Sequence, residues 1–190
     1  MPQSPLCHNR CPGPGLAELE PADGGVVSGC GRGSSGECEA ALLQLQVTVW
    51  PPLGAVTLNS GGLLADQGWL RVYGGSAGSD GMPSITDVNG IITSSGRDDV
   101  ELFPNSFPHE GLVIAHDVLG GVFTLSCTDP AAHGQPGEPG DVVYFAPDFL
   151  YWVSLEGGYG AWLTWLTSGG LDTFYEALWN CFLPKSPSAS

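Results

Sequence analysis

The chain has 190 residues, with 20 Asp or Glu against five Lys or Arg, for a formal net charge of −15. That balance argues strongly against a nucleic-acid surface, because phosphate contacts need clustered cations, and it disfavours anionic membranes. The length suits one domain, and 29 Gly with 16 Pro favour turns and loops over long helices.

Residues 1–36 show neither a period of 2 nor one of 3.6 and are dense in Gly, Pro and Ser, so they read as a flexible leader. The start, MPQSPLCHNRCPGPG, has no apolar h-region, so no secretory signal is expected. No apolar run approaches the roughly 20 residues of a membrane span. A cytoplasmic, reducing setting follows, with the Cys residues as thiols. CHNRC with Cys30 and Cys38 lacks the spacing of paired CxxC knuckles, so no metal or cofactor is expected.

A single ordered domain is expected over 37–180. It opens on a helix in which Ala40, Leu43 and Val47 recur at helical spacing, stopped by Pro51-Pro52. GAVTL then reads as a short strand, NSGG as a turn, GGLLAD as a strand and DQG as a tight turn. In WLRVY, Leu70 and Val72 share one apolar face, as in a half-buried strand. Residues 74–110 hold short apolar pieces between Gly, Ser, Asp and Pro, and read as one long surface loop.

From Gly111, LVIA reads as a buried strand, DVLGG as a turn and VFTLS as the returning strand. After a Gly- and Pro-rich loop, DVVYFA and FLYWV are two more strands, rich in β-branched and aromatic residues. Tyr159, Trp162, Leu163 and Leu166 mark one amphipathic helix, and Leu171, Phe174, Tyr175 and Leu178 a second, with a C-cap at Gly169-Gly170. Residues 181–190 read as a flexible tail. One helix, antiparallel strands, then two helices make an α+β domain.

The runs ALLQLQVTVWPPLGAVTLNSGGLLADQGWLRVYGG, LVIAHDVLGGVFTL and DVVYFAPDFLYWVSLEGGYGAWLTWLTSGGLDTFYEAL resemble, in order and spacing, a bacterial family called domain of unknown function 2625. Coverage is about residues 37–180. The chain departs from that family in its leader, in ending at NCFLPKSPSAS where the family usually continues into another aromatic segment, and at His116, where an acidic residue is more usual. More distantly it is similar to the SUKH superfamily, which implies an antiparallel sheet packed by helices. Many members of that superfamily are immunity proteins that bind toxins.

His116-Asp117, just before Gly120-Gly121, are the first candidates for chemistry. Neighbours on a strand point to opposite faces, so the two diverge unless the chain bends. Asp before Gly-Gly suits a turn role, its oxygens accepting backbone N–H groups. No GxSxG elbow and no HExxH motif is present. An enzyme using His116, Asp117 and Cys127 is the rival reading, and a small-molecule sensor capped by 74–110 a third. His109 and His133 read as solvated. The preferred reading is a non-enzymatic, SUKH-like domain that binds a basic protein partner. Asp98, Asp99 and Glu101 in the long loop, with Trp50 and Trp165 as half-exposed aromatics, are its candidate contacts.

Overall fold

A computed structural model describes residues 27–29, 35–78, 81–90 and 111–182. Its elements run β1 (Val27–Gly29), α1 (Ser35–Leu45), α2 (Pro52–Asn59), β2 (Gly62–Ala65), β3 (Leu70–Tyr73), α3 (Ile85–Val88), β4 (Gly111–Asp117), β5 (Val122–Ser126), β6 (Val142–Ala146), β7 (Tyr151–Ser154), α4 (Tyr159–Thr167) and α5 (Gly170–Phe182). Every strand pairs antiparallel with the next, in the order β1-β2-β3-β4-β5-β6-β7. The expected α+β class with an antiparallel sheet is what the chain forms. β1 and the start of α1 lie within the stretch read as a leader; residues 1–26 lie outside the described residues.

One face of the sheet packs on α4 and α5 through aromatic rings. Phe123 lies 4.8 Å from Tyr144, 5.6 Å from Trp162 and 6.0 Å from Phe174, centroid to centroid. Phe174 also meets Tyr144 edge-on at 5.2 Å. Such tilted and edge contacts are favoured by ring quadrupoles, beyond the area they bury. Each of the two helices carries its apolar stripe towards this cluster, as the 3.6 period requires: Trp162 and Leu166 on α4, Leu171 and Phe174 on α5 are buried.

Several elements differ from their sequence reading. GAVTL is part of helix α2 and not a strand. Pro51-Pro52 does end one helix, but Pro52 also sits at the first helical position of the next, where its fixed φ and missing N–H cost nothing. The β-branched Val56 and Thr57 suggested a strand; the buried set Leu53, Gly54 and Thr57 has helical spacing. The loop expected at 74–110 contains helix α3, closed by a capping box in which Ser84 Oγ accepts from Asp87 N and Asp87 Oδ2 accepts from Ser84 N. Asn89, just past α3, donates to Val113 O and accepts from Val113 N at 2.9 and 2.8 Å. That pair ties the helix to β4 beside an irregularity between Val113 and Ala115.

Candidate functional site

Chain geometry places three short turns at one end of the sheet, because in a sequential antiparallel meander alternate connections fall at the same end. The β2–β3 turn is a 3-10 turn at Asp66–Gly68 with positive φ at Asp66, Gln67 and Gly68. The β4–β5 turn spans 118–121, and the β6–β7 turn spans 147–150. The turns adjoin each other. Val118 N donates to Trp69 O at 3.0 Å, and a Cβ added to Gly120 would lie 4.0 Å from Pro147 Cγ.

Asp117 organises this end. β4 runs straight through His116 and Asp117, so the two side chains do point to opposite faces. Asp117 is 2% exposed. Its Oδ1 accepts from Leu119 N and Gly121 N at 2.9 and 2.8 Å, the turn role expected of it. Its Oδ2 accepts from Tyr144 OH and Tyr175 OH at 2.8 and 2.7 Å, which pins α5 to the hairpin. Four donors use the four acceptor positions of the carboxylate. Burial, followed by the charge of Asp117, holds both phenols well above the usual tyrosine range. Trp69 lies edge-on to Tyr175 at 5.7 Å.

The hairpin glycines have different jobs. Gly120 has φ +87°, a conformation that favours glycine. Gly121 does not; instead its missing Cβ leaves room for the Tyr144 ring, whose OH would lie 2.1 Å from such an atom.

On the reverse face Tyr73 OH and His116 Nδ1 lie 2.6 Å apart, with the rings stacked at 5.3 Å. Arg71 is the direct cross-strand partner of His116. Burial, then the Arg71 guanidinium, lowers the His116 pKa, with Asp117 opposing them. Burial raises that of Tyr73. Both shifts favour the neutral forms, between which a single proton makes the hydrogen bond, its donor set by the imidazole tautomer.

The structure does not assemble the nucleophile arrangement. Cys127 follows Ser126, whose partner is Gly111, whereas His116 pairs with Val122. At about 3.3 Å per residue the two are on the order of 15 Å apart, far from hydrogen-bond reach. Trp50 is 90% exposed. Trp165 is not exposed, contrary to its position beside the apolar stripe: it is 6% exposed and lies edge-on to Phe174 at 5.7 Å. The cause is Gly170, whose missing Cβ lets the start of α5 approach the indole; a Cβ there would sit 1.9 Å from Trp165 Nε1. Asp98, Asp99 and Glu101 lie outside the described residues, as does His109.

A feature of the site that the sequence reading passed over is apolar. Val118, Leu119, Phe149, Leu150 and Trp69 all have side chains exposed on these three turns, Leu150 at 75%. FLYWV read as one strand, but Phe149 and Leu150 belong to the turn, and Leu150 has φ +55°. The signal was present: DVLGG and PDFL each place two apolar residues where turns carry polar ones.

These features define a small α+β domain built on an antiparallel meander, with an aromatic core and a carboxylate-centred turn end. Its relatives agree with that span of chain. Residues 32–182 match the family described as protein of unknown function DUF2625, and the chain belongs to that family. It is 44% identical over 141 residues to a putative uncharacterized protein, YbfG, of Escherichia coli strain K12, a match covering 73% of this chain and 56% of that protein. It is 31% identical over 147 residues to an uncharacterized protein of Haemophilus influenzae, covering 74% of this chain and 55% of that one. The chain thus spans about half the length of the curated relatives it matches.

Proposed function

We propose that this is a non-enzymatic protein-binding domain of the immunity type, and that the turn end of its sheet receives a basic protein segment carrying an apolar anchor. The observation that carries the reading is the group of Trp69, Val118, Leu119, Phe149 and Leu150, all exposed on three adjoining turns at one end of the sheet. Contiguous exposed apolar side chains mark interaction surfaces, whereas scattered ones do not. Leu150 holds a backbone conformation that costs about 1 kcal/mol for a non-glycine residue, and it turns an apolar side chain outward. Exposed Asp66 and Asp148 flank the group in a chain of net charge −15, which suits a basic partner. The Asp117 carboxylate supports a binding role over a catalytic one, because its acceptor positions are filled by the fold itself. Among the described residues, no helix is long and apolar enough to cross a membrane.

The test is affinity capture with the unchanged chain and with a Val118→Asp, Leu150→Asp variant in parallel. A basic protein retained only by the unchanged chain, associating more slowly as salt rises, supports the reading. An acidic partner, or equal retention by both chains, overturns it.

A further inference from the structure

The outer edge of β2 is covered by a piece of chain from outside the family domain. The family match begins at residue 32, yet β1 (Val27–Gly29) lies before it and pairs Val27 with Ala65, Ser28 with Leu64 and Gly29 with Leu63. Without β1, β2 would be the edge strand, with β3 on one side and a row of open N–H and C=O groups on the other. Such an edge is a template for an added strand, and main-chain pairing supplies the affinity. β1 has only three residues, so the hydrogen bonds it gains are nearly offset by the entropy of ordering it. It stays in place because tethering gives it an effective concentration of about millimolar. Residues 1–36 carry Arg10 and Arg32 against Glu18, Glu20 and Asp23, a net −1 of the −15, so this segment approaches the acidic domain with little repulsion.

We infer that the β2 edge is a strand-acceptor site, filled in cis by Val27–Gly29 and able to take the same segment from a second copy of the chain. This surface is separate from the turn end and does not depend on it. An identical segment that pairs in cis is also one that can exchange between copies.

The test uses the full chain and a dye-labelled peptide of residues 24–29, Gly-Gly-Val-Val-Ser-Gly, followed by fluorescence anisotropy. Val27→Pro with Ser28→Pro in the full chain removes whichever of the two consecutive N–H groups faces β2, puts a ring on the other, and frees the edge. The variant should bind the peptide at least tenfold more tightly than the unchanged chain does. Its backbone amides on Leu63, Leu64 and Ala65 that point away from β3 should also exchange faster. A peptide methylated on the backbone nitrogens of Val27, Ser28 and Gly29 should not bind. Equal affinity of the two chains, no binding to the variant, or undiminished binding of the methylated peptide would each overturn the inference.

Discussion

At one end of the sheet, strands join through three short turns that expose apolar side chains, the middle one held by a buried carboxylate. At the other end, β5 reaches β6 through residues 127–141, with Gly134, Gly137 and Gly140 all at positive φ. That far connection also relies on an Asp. Asp141 Oδ2 accepts from Glu138 N at 2.8 Å, and Ser126 Oγ donates to Glu138 O and accepts from Gly140 N. The chemistry is the same, a side chain standing in for missing backbone partners, but the setting differs. Asp141 acts within an exposed loop and fixes only that loop. Asp117 acts inside the core and connects a hairpin, strand β6 and helix α5. The contrast teaches that a turn presenting apolar groups to water needs rigid support from below, whereas a polar loop can hold itself.

The largest expected effect tests that contrast directly. Asp117→Ala should lower unfolding stability by about 4 kcal/mol or more, because it strands two buried phenols and two turn N–H groups. Asp141→Ala should cost about 1 kcal/mol, the net worth of an exposed hydrogen bond. Urea unfolding followed by Trp fluorescence reads both, and similar losses would erase the distinction between the ends. Next, Gly121→Val should cost about 3 kcal/mol through its clash with the Tyr144 ring. Gly120→Ala should cost about 1–2 kcal/mol through its positive φ alone. Equal costs would mean that the ring does not pack as described.

Buried phenols sharpen the comparison at high pH. Tyr144, Tyr159 and Tyr175 all have raised pKa values in the folded state, chiefly from burial. Stability is therefore full below the unfolded tyrosine pKa of about 10 and is lost as pH rises above it. Among the described residues, Tyr159 OH has no hydrogen-bond partner. Tyr159→Phe should therefore leave stability at pH 7 unchanged or slightly higher and make the alkaline loss shallower, measured as Tm between pH 9 and 11. The smallest effect is at His116. Its pKa is lowered in the fold, so its contribution is present above the unfolded value of about 6.5 and is lost as pH falls below it. His116→Asn should cost no more than about 1.5 kcal/mol at pH 7. It should also flatten the decline of Tm between pH 6.5 and 5; an unfolded variant would contradict the peripheral role of this side chain.

How far the sequence was legible follows from what each signal depends on. Strands β2 to β6 and helices α4 and α5 show through because period and turn residues are local. α3 carried a local signal too, the Ser84–Asp87 capping box, hidden by the Gly and Ser around it. α2 was misread because Pro52 both ends and begins helices, and only packing decides which. At the site, the turn role of Asp117 was legible from the Gly-Gly that follows it. Its bonds to Tyr144 and Tyr175 were not, since they cross 27 and 58 positions. The burial of Trp165 depends on a glycine in the next helix, which no period on α4 records.

The strictly sequential strand order has a consequence for how the chain folds. Every strand finds its partner next in the chain, and three of the six pairings, β2 with β3, β4 with β5 and β6 with β7, close over turns of four residues, local steps that form early. Two pairings are exceptions, β1 with β2 across residues 30–61 and β3 with β4 across residues 74–110, although each doubling of a loop adds only about 0.6 kcal/mol. Two clusters can therefore form independently, β2 with β3 on one side and β4 through β7 on the other. Their union is the step at which Val118 meets Trp69, so the apolar end of the sheet should be completed only when the two halves join.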